Sequence, residues 1–363
     1  MYLSFEEIKE VHLEITSKCN LLCPSCARTI TFYDEGYLQK HSDKKNIDIT
    51  ISDIKKIFSV KFIDNLECVM FCGNYSEPIA NNDILEILEY FKINKNIKII
   101  LFTNGSLRNK DFWKSLSRFF SDERSGVIFS IDGLSDTNKI YRINSNFEKI
   151  MENAKTFIEN GGYAVWDFLV FEHNKHQIEE AEKLAKKIGF KQIRFKQSHR
   201  LISKNLQKSN IFKYKENIEK IKTVKIVDDY EEKMKKIEKI YGSYENYKKN
   251  CPVNCKTRNR KSIYIDFLQR VWPCCWFAAN FMHHDNVETE ELEKLYCYYD
   301  NDYDFNSLKK KSLEEILNHD FFVNYLEKSW MDKNFRHSVC GKVCGNIVEF
   351  SSNDKTNRKV KVL

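Results

Sequence analysis

A chain of 363 residues is too long for one small core, and its length suggests two domains or one large barrel with an appendage. The apolar fraction of 42% suits a globular protein, while only 11 glycines and 4 prolines exclude low complexity and long flexible linkers. The formal net charge of +7 is spread along the chain, which describes a lysine-rich solvated surface and does not require a nucleic-acid partner. The longest purely apolar runs, such as CCWFAA at 274–279, fall far short of the roughly twenty residues of a membrane span. The opening MYLSFEEIKEV is acidic where a signal peptide would be basic and then apolar. The expectation is a cytoplasmic chain, in which 12 cysteines point to metal, catalysis or core packing rather than disulfides.

In chain order, VHLEIT (11–16) reads as a strand and ISDIKKIFSVKF (51–62) as a helix with Ser52 as its N-cap. Strand ECVMFC (67–72), helix DILEILEYFK (83–92), strand IKIILFT (97–103), a helix near 110–120 and strand GVIFSID (126–132) follow. A helix at 146–160, strand YAVWDFLVF (163–171), a helix at 175–188 and strand KQIRFK (191–196) complete a series of six strands. Strands this uniformly apolar are buried on both faces, so the sheet is parallel. Such a βα series makes a doubly wound sheet or a barrel, and in a barrel the chemistry collects in the loops after the strands. Residues 204–250 are highly charged and read as a solvated loop and helix between two domains. From Cys251 the cysteines return, with short strand-like runs SIYIDF and RVWPCCW.

The stretch KCNLLCPSCAR (18–28) follows the first strand directly and places Cys19, Cys23 and Cys26 at spacings of three and two. Four thiolates close a structural zinc ion or a cubane iron–sulfur cluster, whereas three leave one iron of a cubane open to a small molecule. Pro24 stiffens the loop. The alternatives are three unconnected loop cysteines, or part of a zinc site with distant ligands.

Cys-x3-Cys-x2-Cys after the first strand of a βα series resembles the radical S-adenosylmethionine (radical SAM) superfamily. The resemblance implies an α/β fold built as a partial (β/α)6 TIM-type barrel. It implies a [4Fe-4S] cluster on Cys19, Cys23 and Cys26, with the amino and carboxylate groups of SAM on the fourth iron. It implies reductive cleavage of SAM to a 5′-deoxyadenosyl radical that abstracts hydrogen from a substrate, with a reductant such as flavodoxin or ferredoxin. The difficult chemistry belongs to the cofactors and the protein positions them. Companion motifs lie at the following strand ends. CGNYSEP (72–78) is similar to the family's Gly-Gly-Glu-Pro stretch, stretched so that Gly73 stands apart from Glu77. TNGS (103–106) brings Asn104 to the ribose side, and SIDG and YRIN supply Ser130 and Arg142 for the ribose and carboxylate of SAM. Arginine suits a carboxylate because its planar fork pairs with both oxygens, although a lone arginine is ordinarily a surface ion pair. FLVFEHN (168–174) offers Leu169 or Val170 to the adenine, with Val170 the residue assigned. Ser25 stands before the third cysteine, where many members carry an aromatic residue.

The distal cysteines are Cys251, Cys255, Cys274, Cys275, Cys340 and Cys344, with Cys297 further off in KLYCYYD. They resemble the SPASM/twitch extension of the same superfamily: Cys255, thirteen residues, Gln269, four residues, Cys274, with glutamine where the family has glycine. One auxiliary [4Fe-4S] cluster is expected on Cys255, Cys274, Cys340 and Cys344, with Cys251 and Cys275 as spares and a four-cysteine zinc site as the alternative. Neighbours on a strand point to opposite sides, so Cys274 and Cys275 do not share one cluster. Cys68 reads as a core thiol, Cys72 as unassigned, and His173, His176, Lys196 and His199 as structural residues near a substrate space.

The expected domains are 1–200 (barrel), 201–250 (connector), 251–350 (twitch/SPASM-like unit) and 351–363 (tail). The expected function is oxidation or rearrangement of a small polar metabolite, sugar- or aminocyclitol-like, with the auxiliary cluster as electron acceptor. A peptide-modifying maturase is the alternative, disfavoured because the first strand begins near residue 11 and leaves no room for a preceding peptide-recognition domain. A non-catalytic iron–sulfur protein is the third reading. No catalytic acid or base is assigned.

Overall fold

The structure, a computed structural model, describes residues 2–33, 44–198, 221–224, 230–282, 291, 295, 302, 304–347 and 358–363. His199, Cys297 and most of the stretch 199–229 lie outside the described residues. The elements in chain order are β1 (Glu10–Leu13), α1 (Ala27–Tyr33), α2 (Ile51–Ile57), α3 (Val60–Asn65), β2 (Cys68–Phe71), α4 (Ile84–Phe91), β3 (Lys98–Thr103) and α5 (Lys110–Ser117). Next are β4 (Gly126–Ser130), α6 (Asn138–Tyr141), α7 (Phe147–Glu159), β5 (Ala164–Val170), α8 (Ile178–Ile188) and β6 (Gln192–Gln197). The last group is α9 (Tyr230–Tyr241), α10 (Tyr244–Asn250), α11 (Lys256–Asn259), β7 (Ser262–Ile265), β8 (Val271–Trp272), α12 (Cys275–Met282), α13 (Leu313–Leu317), α14 (Leu326–Met331), α15 (Ser338–Cys344) and β9 (Arg358–Val362).

Two compact units are interleaved in sequence. One comprises Glu14–Ile51, Val69–Val227 and Ser352–Leu363, and the other Met1–Leu13, Ser52–Cys68 and Asp228–Ser351. In the first, strands run in the order β2-β3-β4-β5-β6-β9, and β3 to β6 pair in parallel. Consecutive neighbours without a reversal of order are the winding of a barrel, not of a doubly wound sheet. This is the partial-barrel α/β fold expected above. One face of these strands is aromatic and lies under the helices: Phe129 stacks on Trp113 of α5, and Trp166 and Phe168 pack on Phe190 and Phe195. Helix ends follow local chemistry. Asn109 and Asn146 cap α5 and α7 through their side chains, and Gly189 ends α8 with φ +101°, in the left-handed region open to glycine. Where the sequence shows only a tail, β9 pairs antiparallel with β6 and covers its edge.

In the second unit β1 pairs in parallel with β7, and β7 and β8, formed by the strand-like runs SIYIDF and RVWPCCW, pair as an antiparallel hairpin. The single helix expected over 51–62 is two helices. Ser52 lies inside α2, and the cap is Ser59, whose hydroxyl accepts from the Phe62 N–H to start α3. The charged stretch before Cys251 is more than a solvated connector, because α9 and α10 bury Ile237 and Tyr247 completely beside Cys251. Among the described residues no helix is long and apolar enough to cross a membrane.

Candidate functional site

Cys19, Cys23 and Cys26 lie in the loop between Glu14 and α1. The Cys26 N–H bonds the Cys23 carbonyl at 3.0 Å, and the Cys26 carbonyl accepts the first helical bond of α1 from Ile30. Cys23 shares a buried apolar cluster with Leu21, Tyr141 and Phe171, and Cys19, Cys26 and Leu169 pack against it. The Leu21 N–H points at Cys19 Sγ at 3.4 Å, Asn104 Nδ2 lies 3.8 Å from the same sulfur, and Arg142 Nη1 lies 4.0 Å from Cys23 Sγ. Burial drives the Cys19 thiol far up and the Cys23 thiol up to about 12, although Arg142 beside Cys23 opposes the shift. Cys19 and Cys23, desolvated with one nearby guanidinium, lack the positive charge to ionise by themselves. An iron–sulfur cluster supplies that charge, so the donor set fits one. Among the described residues no three His, Cys, Asp or Glu side chains converge closely enough for a single metal ion. A cubane puts its thiolates on different irons and spaces them more widely.

The loop after β2 is tied to Glu14 and Lys18, which lead into the cysteine loop. Buried Glu14 accepts from the Tyr75 N–H at 2.6 Å, and the Glu77 N–H bonds the Lys18 carbonyl at 2.8 Å. A Cβ on Gly73 would stand 1.8 Å from the Ser76 carbonyl oxygen, so the stretched motif closes a turn that only glycine fits. Glu77 is buried and points into the next loop: one oxygen accepts from the Thr103 hydroxyl and the other from the Asn104 N–H, each at 2.6 Å. Burial pushes its carboxyl up to about 7 despite these bonds. Asn104 in turn bonds Asn20 at 3.0 Å. Glu77 and Asn104 therefore brace the cysteine loop through the two neighbouring strand-end loops.

Arg142 follows α6. Its Nε donates to Asp132 Oδ2 at 2.6 Å, and Asp132 Oδ1 accepts the Leu169 N–H at 2.6 Å. Asp132 and Asn174, which links the Asp132 and Leu169 carbonyls, were not legible as site residues: a short polar residue in a loop has no spacing that marks it. Ser130 ends β4 and stands in register with Asp167 of β5. Of the two adenine-side candidates, Leu169 packs against the cysteine cluster; Val170 is buried and not part of it. Alternation along the strand turns the two to opposite faces. Ser25 is buried beside the third cysteine, and Cys68 is a buried thiol. His173 lies flat on Phe171, with ring centroids 5.4 Å apart. His176 is in a single helical turn before α8.

The second cysteine set lies wholly in the other unit. Cys255 caps α11, Cys274 precedes α12, and Cys340 and Cys344 sit one turn apart on α15, on one face. All four line one apolar pocket with Trp276, Phe277 and Trp330. Cys275 is not among the lining residues, and Cys251 turns into the core, its Sγ 3.7 Å from the Gly341 carbonyl. A hydrogen bond between Cys255 and Cys344 lowers the first thiol and raises the second. Burial raises Cys274 and Cys340. The donor set fits a four-thiolate cluster. Two features hold it. A Cβ on Gly341 would stand 2.0 Å from the Lys248 carbonyl, so α15 approaches α10 only through glycine. The hairpin carries Gln269 at φ +64°, where glycine is the ordinary choice. Asp266 pays for that strain by accepting from the Leu268 and Arg270 N–H groups, Arg270 Nε and Trp272 Nε1, at 2.9–3.0 Å.

Residues 13–188 match the radical SAM superfamily. These residues, a little under half of the chain, form a radical SAM segment. With the family come an enzymatic role and its cofactors, SAM and a [4Fe-4S] cluster. The chain is 28% identical over 185 residues to a probable GTP 3′,8-cyclase of Methanococcus maripaludis (strain C5 / ATCC BAA-1333). That match covers 50% of this chain and 57% of the relative, so the chain spans little more than half the curated relative's length. Its fold is similar to SAM-bound Streptococcus suis SuiB, at TM-score 0.50 and 15% identity over 92% of this chain and 77% of that one. It is also similar to SAM-bound anSMEcpe, at TM-score 0.51 and 16% identity over 96% and 89% of the two chains.

Proposed function

We propose that this radical SAM enzyme removes hydrogen from a small polar metabolite, sugar- or aminocyclitol-like, and oxidises it with the help of a second cluster. The observation that carries the reading is the pairing of two thiol sets, three in a loop and four around an apolar pocket. Cys19, Cys23 and Cys26 would hold the first [4Fe-4S] cluster; bound there with SAM, it supplies a 5′-deoxyadenosyl radical. Cys255, Cys274, Cys340 and Cys344 would hold an auxiliary [4Fe-4S] cluster that supplies an electron acceptor. The chain's own residues position and exclude water. Arg142, set by Asp132, would take the SAM carboxylate. Gly73 gives the backbone turn that would face the amino group, with Glu77 and Asn104 bracing it. Ser130 would meet the ribose, and Leu169, rather than Val170, the adenine. A flavodoxin or ferredoxin would deliver the electron. The small-molecule part of this reading draws on the GTP 3′,8-cyclase relative, whose name gives it a nucleotide substrate.

The test is iron content and SAM cleavage of the anaerobically reconstituted chain. Two cubanes give about eight irons per chain and reductant-dependent 5′-deoxyadenosine. About four irons with one zinc would remove the auxiliary cluster, and reduced, iron-loaded protein that leaves SAM intact would remove the reading altogether.

A further inference from the structure

Parallel pairing puts Ser130, Asp167 and Arg194 in one row across β4, β5 and β6, and Leu169 and Lys196 in the next row but one along the same face. This is the face turned away from the aromatic layer under the helices. Leu169 packs on the cysteine cluster, so Lys196, its register partner, lies level with it. Asp167 accepts from both cations, one oxygen from Arg194 Nε and the other from Lys196 Nζ. The side chains of Asp167, Arg194 and Lys196 are 7%, 13% and 6% exposed. Two cations thus share one carboxylate out of water. Arg194 Nη2 is buried with no hydrogen-bond partner among the described residues. A buried donor left unpaired is costly, and so is an excess buried charge, unless a further acceptor arrives. Among the described residues, Asp167 acts electrostatically on Asp132 and Cys72 on Lys196, and Arg358 of β9 stands in register with Lys196. Asp132 is committed to Arg142.

We propose that Arg194 and Lys196, braced by Asp167, anchor an oxyanion of the substrate, a carboxylate or a phosphate, inside the barrel. The planar fork of Arg194 spends its Nε on Asp167 and keeps its outer edge for the anion, and Lys196 adds a point charge. The substrate class is then an anionic metabolite, held level with the cysteine loop where the radical chemistry is proposed. The inference rests on that proposed reaction for its substrate, but not for its anion site.

The experiment titrates inorganic phosphate, and separately acetate, into the reconstituted, SAM-loaded enzyme by calorimetry, with SAM affinity measured alongside. Saturable binding of one of the two at one site per chain is expected, and it names the oxyanion. Arg194→Gln and Lys196→Met should each weaken it by about tenfold or more, and Arg194→Lys, which keeps the charge, by less. No saturable binding, or equal binding to the neutral variants (an adventitious ion only), overturns the proposal. So does a matching loss of SAM affinity, which would assign the pair to the cofactor's own carboxylate. Should the neutral variants not fold, the wild-type thermal midpoint decides: it must rise with phosphate or acetate beyond its value in chloride of equal ionic strength. Wild-type 5′-deoxyadenosine formation is read separately, so the radical reading and the anchor can fail independently.

Discussion

The two cysteine sets differ in what surrounds their sulfurs. Cys19, Cys23 and Cys26 sit in a loop with polar company: the Asn104 amide, the Leu21 N–H and the Arg142 guanidinium approach their sulfurs. Cys255, Cys274, Cys340 and Cys344 line a pocket walled by Trp276, Phe277 and Trp330, and two of them ride on one helix. The amide and guanidinium beside the first set suit recognition of a charged small molecule. The second is walled by apolar side chains and held by helices, which suits a cluster that exchanges electrons and touches nothing else. Both sets pack on apolar side chains, and the difference is the charged and amide side chains, Arg142 and Asn104, that only the first set has near its sulfurs.

Three measurements break or sharpen that contrast. The largest effect is expected from the combined Cys19→Ala, Cys23→Ala and Cys26→Ala variant, which should lose about four irons per chain and all 5′-deoxyadenosine formation. Retained SAM cleavage would mean the loop set is not the cofactor site. Gly341→Ala should come next. Its added Cβ meets the Lys248 carbonyl at 2.0 Å, so α15 must shift with both its cysteines. A loss of about 1–3 kcal/mol in denaturant unfolding is expected, with iron lost from the four-cysteine pocket. Unchanged iron and stability would show that the pocket does not depend on this helix contact. Gln269→Gly is the smallest and has the opposite sign. Relief of a left-handed side-chain position should stabilise by about 0.5–1 kcal/mol, seen as a higher thermal midpoint. A lower midpoint would show that the Gln269 side chain contributes more than its strain costs.

Much of the barrel could be read directly. KIILFT, GVIFS and AVWDFLV are apolar enough to be buried strands, and the structure has β3, β4 and β5 there. Spacing and resemblance also point to Cys255, Cys274, Cys340 and Cys344, and these four line one pocket. Other features escaped. The break between α2 and α3 turns on Ser59 competing for the backbone inside a pattern that is helical throughout. The tolerance of Gln269 depends on Asp266, three residues away, whose side chain supplies the turn. Leu169 rather than Val170 meets the cysteines because of strand phase, which the residue types, both apolar, do not reveal. The parallel pairing of β1 with β7 joins segments about 250 residues apart, and no local pattern encodes it.

The amino-acid sequence by itself determined the alternation of strand and helix, the three-thiol loop after the first strand and the number of distal thiols, because these rest on periodicity, residue type and spacing. Tertiary structure alone decided which charges meet. Asp132 takes Arg142, Asp167 takes both Arg194 and Lys196, and Glu77 turns to Thr103 and Asn104. Such pairings are set by strand register and by the cost of leaving a buried polar group unmatched, and both exist only once the strands have come together.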